Sequence, residues 1–546
     1  MTTTIDKEIA TSFATLSVTQ IRAALLARKE LALLDVREEA PFAEAHPLFA
    51  ANLPLGRIEL ETHARIPRRD TLIVVYDDGE GLALPAAQRL LQLGYSAVHL
   101  LEGGLQGWRD AGGEIFRDVN APSKAFGELV ESQRHTPSLS APEVKALLDA
   151  KADVVVLDAR RFEEYNTMSI PGGISVPGAE LVLRVRALAP RPETRVIVNC
   201  AGRTRSIIGS QSLINAGIPN PVSALRNGTI GWTLAGQQLE HGKTQRFSDH
   251  VHAETGSEQH IQAVASARQV ADRAKVGRAD LAASARWQQE TGRTTYCLDV
   301  RTPEEYIAGH LPGFSSAPGG QLVQETDHVA PVRGGRIVLA DDDGVRANMS
   351  ASWLAQMGWE VHVLDGLQKA DFSEAGLPRQ ALPPAPPFES VAAAQLAEWL
   401  KDNDPNSAGT VLLDFTSSAN YVKQHIPGAR FTLRSQLASA LQQTPSAQRY
   451  VLTCGSSLLA GYAAGDLKQL TERPVFVLAG GTAAWIAAGL PLESGETALA
   501  SPRIDRYRRP YEGTDNPVAA MQAYLDWEYG LVAQLAADGT HGFFVI

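Results

Sequence analysis

Cysteine is scarce in this sequence: three thiols, Cys200, Cys297 and Cys454, occur in 546 residues, and no two of them form a C-x-x-C pair. That scarcity excludes a disulfide framework and an ordinary zinc site, and unpaired thiols suit a reducing compartment. No apolar run approaches the length needed to span a bilayer. The opening Met-Thr-Thr-Thr-Ile-Asp-Lys-Glu lacks the basic start and apolar core of a signal peptide, so a cytoplasmic location is expected. Positive charge is also short, with 50 Lys and Arg against 61 Asp and Glu and a formal net charge of −11. Nonspecific binding to nucleic acid or to an anionic membrane needs a basic surface, so neither partner is expected and an anionic ligand must be captured locally. No glycine-rich phosphate loop or dinucleotide fingerprint follows a strand convincingly, and no cofactor is expected. His250, His252 and His260 stand in a polar linker without cysteine or clustered carboxylate, so no metal site is expected.

What the chain does have is internal repetition. A strand-aspartate signature recurs as Leu33-Leu-Asp35-Val-Arg37, Val156-Leu-Asp158-Ala-Arg160, Cys297-Leu-Asp299-Val-Arg301 and Leu412-Leu-Asp414-Phe, spaced by a domain's length. A helical turn and then a proline turn follow: Phe162-Glu-Glu-Tyr165 before Ile170-Pro-Gly172, Pro303-Glu-Glu-Tyr306 before His310-Leu-Pro-Gly313, Asn420-Tyr421 before His425-Ile-Pro-Gly428. A second apolar strand comes next, then a helix, a third strand and a glycine turn, as in Val98-His-Leu-Leu-Glu-Gly-Gly104 or Val475-Phe-Val-Leu-Ala-Gly-Gly481. Short apolar strands alternating with helices predict α/β domains, each a parallel sheet flanked by helices. Polar and proline-rich linkers place the four tandem domains at residues 12–120, 136–242, 258–378 and 386–496. Residues 497–546 form a C-terminal tail: a basic stretch from Arg503 to Arg509, then an amphipathic helix with Met521, Tyr524, Leu525, Glu528, Val532 and Leu535 at three- and four-residue steps. Asp526 and Glu528 on its polar face favour docking on a neighbouring domain over a membrane, and the Phe543-Phe-Val-Ile546 end is expected to dock likewise.

Aligning the copies places Asp77, Cys200, Asp341 and Cys454 at one point, just past the second long strand. Open parallel sheets bind ligands there, outside the carboxyl ends of their strands. Around Cys200 the run Val196-Ile-Val-Asn-Cys-Ala-Gly-Arg-Thr-Arg-Ser206 predicts a strand ending at Asn199 and a helix starting near Thr204. Unpaired N–H groups and the helix dipole would favour a thiolate between them and lower its pKa. Cys297 lies inside a strand and reads as structural, and Asp35, Asp158, Asp299 and Asp414 read as partners for loop N–H groups. His310 and His425, ahead of their proline turns, read as structural or solvated.

Together these features resemble the rhodanese superfamily of sulfurtransferases over about residues 15–495, most fully in copy two, where Leu157-Asp-Ala-Arg160, Ile170-Pro-Gly172, Asn199-Cys-Ala-Gly-Arg-Thr-Arg-Ser206 and Asn227-Gly228 with Trp232 appear in order. The resemblance implies a ping-pong transfer in which Cys200 takes a sulfane sulfur from thiosulfate or a similar anionic donor and passes it to cyanide or a thiol acceptor. Ala201, Gly202, Arg203, Thr204, Arg205 and Ser206 would bind the donor, with Arg203 and Arg205 holding its charge. Counted from Cys200, the sixth residue is Arg205; the related phosphatases need a loop one residue longer. Cys454-Gly-Ser-Ser-Leu-Leu-Ala460 is similar to the loop of mercaptopyruvate sulfurtransferases but departs at Ser457, Leu458 and Leu459 and carries no arginine. Gly455, Ser456 and Ser457 would bind substrate there, the anion being captured by backbone N–H groups, by Ser456 and Ser457, or by a cation lent by another domain. Copies one and three have aspartate in place of the nucleophile and look silent, as in two-domain relatives that pair a silent first domain with an active second one; the chain resembles that arrangement doubled. The alternatives are a sulfur-relay or regulatory scaffold, with a protein as sulfur donor or acceptor, and 3-mercaptopyruvate sulfurtransferase activity at Cys454.

Overall fold

The computed structural model describes residues 13–249, 256–377, 381–401, 409–444 and 447–546. Four five-stranded sheets are present, all with parallel pairing. Counted within each unit, the strand order is 1-5-4-2-3 every time. In the second unit the strands are Ser138–Leu139, Val154–Asp158, Ile174–Ser175, Arg195–Asn199 and Val222–Leu225. The fourth strand is the central one, and its Val196, Ile197 and Val198 are wholly buried because helices cover both faces of the sheet. That strand delivers the residue that follows it to the middle of the sheet's carboxyl edge. Asp77, Cys200, Asp341 and Cys454 each follow directly on such a strand, ending at Tyr76, Asn199, Ala340 and Thr453.

The units do not pair in sequence order. Units two and three meet through equivalent segments: Gly178 packs on Gly320, the Arg346 guanidinium binds the buried Glu180 at 2.8 Å, and Trp353 Nε1 donates to Ser212 Oγ at 2.8 Å. Units one and four repeat this at Gly56 and Arg434, where Arg434 binds Glu59 at 2.7 and 2.8 Å and Arg89 binds Asp466 at 2.8 Å. The doubled one-two and three-four arrangement is thereby corrected. Each cysteine-bearing unit still faces an aspartate-bearing one, but crosswise. Units one and three also join, by the bridge between Leu31 and Arg333 and by Tyr296 Oη donating to Arg65 O at 2.8 Å.

Two helices outside the sheets fasten the assembly. The linker helix Ala121–Arg134 joins units one and two, and the tail helix Val518–Asp538 packs along it. Phe126 of the linker helix meets Trp353 and Phe543 edge-on, and Phe544 N and Ile546 N donate to Gln356, so the chain's end is docked. On the tail helix Met521, Tyr524, Leu525, Leu531 and Leu535 are buried while Val532 is half-buried. Glu528, expected on the polar face, is instead fully buried. The expected domain limits at residues 12 and 378, together with His250 and His252, lie outside the described residues.

Candidate active site

The Cys200 loop is shaped from two sides. On one side the helix Thr204–Asn215 begins, leaving its first amides without helical partners. On the other, Thr229 N and Ile230 N donate to the carbonyls of Cys200 and Ala201 at 2.9 and 3.0 Å. This contact requires glycine at 228, whose φ is +54° and where a Cβ would fall 2.2 Å from Cys200 O. The fourth unit repeats the device at Gly481, with Thr482 N and Ala483 N donating to the carbonyls of Cys454 and Gly455.

The aspartate-bearing loops show what such a loop holds. Asp77 accepts from the amides of Gly79, Leu82 and Ala83, the last at 2.9 Å. Asp341 accepts from Gly344 N at 3.0 Å and Ala347 N at 2.8 Å. In both silent copies the first residue's carboxyl group accepts from amides of its own loop, although burial and the neighbouring Asp343 push Asp341 well above the usual carboxylate range.

Cys200 is 2 % exposed, and its thiol donates to Ser206 Oγ at 3.5 Å. Burial pushes the thiol up, against the opposing pull of Arg205 and Ser206. The lowered pKa expected for this thiol is thus corrected: in the closed site desolvation outweighs the nearby cation. Arg205 forms a two-pronged pair with Glu164 at 2.7 and 2.8 Å, and that pairing brings Glu164 down to about 2. Arg203 turns the other way. Its guanidinium binds Glu128 at 2.7 and 2.8 Å and also Glu131 of the linker helix, and it lies under the Tyr529 ring. Arg203, expected to hold the donor, has its charge engaged in this largely buried ion pair and faces away from the cleft. Thr204 Oγ1 is buried without a partner.

The loop's roof is the tail. Ala201 packs with Ile230, Tyr511, Met521, Tyr524 and Leu525, and Gly202 lies against Tyr524 and Glu528. Beside it opens a cleft of about 890 Å³ between units two, three and four, lined by Arg205, Arg160, Arg161 and Glu164 and by Arg503, Arg506, Arg508 and Tyr511 of the tail. Tyr511, Tyr524 and Glu528 were not singled out from sequence as site residues; the available signal was a carboxylate four residues after Tyr524 within the apolar stripe.

Cys454 is 5 % exposed, but Gly455 and Ser456 are exposed and a side chain at 455 would meet open space. Ser457 takes a left-handed φ of +69° at the start of the helix Leu458–Lys468. Leu459 stands where copy two has Arg205. It lines a cavity of about 360 Å³ on the one-four interface, to which Arg57 and Arg65 of unit one and Arg509 of the tail contribute. Cys297, inside the strand Thr295–Asp299, is pushed by burial up to about 11. Asp158 accepts from Arg160 N and pairs with its side chain, and His310 and His425 stack on Tyr306 and Tyr421. Among the described residues no group of three His, Cys, Asp or Glu is placed to hold a metal ion, and no helix is long and apolar enough to cross a membrane.

Four sheets of one topology, each with a loop that starts directly past its central strand, define a class, and the chain belongs to it: the family model of the rhodanese-like domain matches residues 18–111, 140–235, 281–367 and 393–488. The chain is similar over nearly its whole length to the crystal structure of a thiosulfate sulfurtransferase from Pseudomonas aeruginosa, at 71 % identity, covering 98 % of this chain and 100 % of that one with a TM-score of 0.95. A thiosulfate sulfurtransferase of Azotobacter vinelandii is 29 % identical over 205 residues, 34 % of this chain and 74 % of that protein.

Proposed function

We propose that Cys200 and Cys454 are the sulfur carriers of this rhodanese-type sulfurtransferase and that thiosulfate is the donor. The observation that carries the reading is the set of three loop amides that bond Asp77, because a loop whose amides converge on the side chain of its first residue can offer the same donors to a thiolate or persulfide there. Similarity to two thiosulfate sulfurtransferases supports the choice of donor.

In the first half-reaction the Cys200 thiolate attacks the outer sulfur of thiosulfate. A new S–S bond forms to the enzyme, the donor's own S–S bond breaks, and sulfite leaves with the electron pair. In the second, cyanide or a thiolate attacks the outer sulfur of the persulfide and Cys200 departs as thiolate. Arg205 supplies the local positive charge, and the arginine-lined cleft draws the donor anion in. Asp77 and Asp341 cannot carry sulfur, so units one and three act as partners in the two interfaces. The domains run over residues 12–120, 136–242, 258–378 and 386–496, with the tail after them.

The test is peptide mass spectrometry after exposure to thiosulfate: a gain of about 32 Da, one sulfur atom, is expected on the peptide carrying Cys200. Cys200→Ser abolishes that gain and the sulfite released with it. No gain on either cysteine peptide would defeat the reading. The exposed Gly455 and Ser456 favour a second use for Cys454, as a site open to a protein thiol or to 3-mercaptopyruvate; loading of Cys454 by 3-mercaptopyruvate and not by thiosulfate would establish it.

A further inference from the structure

Glu528 is fully buried on the tail helix, above the Cys200 loop. Its Oε1 accepts from Tyr524 Oη at 2.8 Å, while Oε2 is buried without any partner. That free oxygen faces the loop: a side chain at residue 202 would begin 3.2 Å from it, and only glycine keeps the gap open.

The charged and titratable groups around Glu528 come from three elements. The linker helix brings Glu128 and Lys124, the loop brings Arg203 and Cys200, and the tail helix itself brings Tyr524. Both cations are committed elsewhere, Lys124 to Asp118 at 2.7 Å and Arg203 to Glu128 and Glu131. An ionised Glu528 would therefore be a buried anion facing a second carboxylate and a loop built for anions. Burial, reinforced by Glu128, pushes it up to about 8. At neutral pH it carries a proton, and the oxygen without a partner is the one free to donate it as a hydrogen bond.

We propose that Glu528 completes the Cys200 site from the tail, donating a hydrogen bond from its neutral carboxyl group to a sulfonate oxygen of the donor held at the loop, so that loading proceeds fastest while this acid keeps its proton. The inference rests on Cys200 being a sulfur carrier. No proton is transferred in the step: the carboxyl group shields charge on the departing sulfite, and the electron pair still leaves with that sulfite. Glu528 thereby does for the donor what Arg203, committed to the linker helix, does not.

The experiment follows single-turnover loading of Cys200 in the full chain by thiosulfate, read as the mass gain of its peptide between pH 6 and 10. In the wild type the rate climbs as the thiol ionises and levels off above about pH 8, where Glu528 loses its proton. Glu528→Gln keeps a neutral N–H donor that cannot ionise, and its rate continues to climb through the same range, about tenfold per pH unit while the thiol stays largely protonated. Glu528→Leu keeps volume without a donor and loads at least roughly tenfold more slowly at pH 7 while still unfolding in one cooperative transition. Identical pH profiles for the wild type and the Gln variant, or a Leu variant that loads at the wild-type rate, overturn the role of Glu528. Absence of loading on wild-type Cys200 instead overturns the carrier assignment itself, and this inference with it.

Discussion

Arg203 and Arg205 stand two residues apart in one loop and face different partners. Arg205 lines the open cleft with Glu164, whereas Arg203 is 4 % exposed and is bound by Glu128, Glu131 and Tyr529. The carboxylate opposite Arg205 is partly exposed, so that pair opens to a donor anion at less cost than the buried Arg203 pair. Replacing Arg205 by Ala is expected to lower kcat/KM for thiosulfate loading of Cys200 at least tenfold, about 1.4 kcal/mol of transition-state stabilisation, while loading of Cys454 is unchanged. Quantifying both peptides after timed exposure checks this. The sequence made the cysteine, the six-residue spacing and the two arginines plain. It did not reveal which arginine stays available, because that depends on Glu128 and Glu131, more than seventy positions earlier and on a helix outside the repeat.

At the scale of the element, the tail helix is the part that changes most what the loop can do. Its apolar stripe was readable, and so was its docking on the protein. The inward turn of Glu528 was not, since a glutamate beside Asp526 reads as solvated until a neighbouring helix covers it. The helix is held by Leu531 and Leu535, both at or below 1 % exposure, packed in the same core as Phe126. Leu531→Ala should cost about 2–5 kcal/mol of local packing. A loosened roof lets reagents reach the loop, so iodoacetamide should alkylate Cys200 roughly fivefold faster or more in this variant, with the rate at Cys454 unchanged. Equal acceleration at both thiols would mean that the whole molecule, and not the roof, had loosened. The sheets themselves were legible for a simple reason: a strand buried on both faces must be a continuous apolar run, and Val196 to Val198 cannot be read otherwise.

Taken as one body, the four units combine carboxyl groups displaced in opposite directions. Glu164 and Glu305, each paired with arginine, are held at about 2; their contribution is present above the unfolded value near 4.3 and lost as the pH falls through the folded one. Glu38, buried on the one-four interface, is raised to about 7 and Glu528 to about 8. A carboxyl raised by folding contributes fully below its unfolded pKa, and that contribution is lost as the pH rises through the folded value. Between pH 7.5 and 8 unfolded carboxyl groups no longer titrate and unfolded histidines are about nine-tenths neutral, so the raised carboxyl groups, Asp341 among them, set the sign: the melting temperature should fall across this window, with about 1.4 kcal/mol per pH unit for each carboxyl still protonated in the fold. Scanning calorimetry of Glu38→Gln and Glu528→Gln should show the slope reduced in each. A profile that rises through the window would contradict the burial of these acids. The number of units was readable from the repeats, but their crosswise pairing was not, because Arg346 with Glu180 and Arg434 with Glu59 join positions that no repeat period connects.

That pairing sets a timetable for synthesis. Unit one leaves the ribosome first, yet its partner across the Gly56 interface is the fourth unit, which at about 5–20 residues per second follows tens of seconds later. The roof over Gly202 comes later still. A nascent chain therefore leaves Cys200 uncovered until translation has passed the tail helix, and no shorter product can shut that compartment.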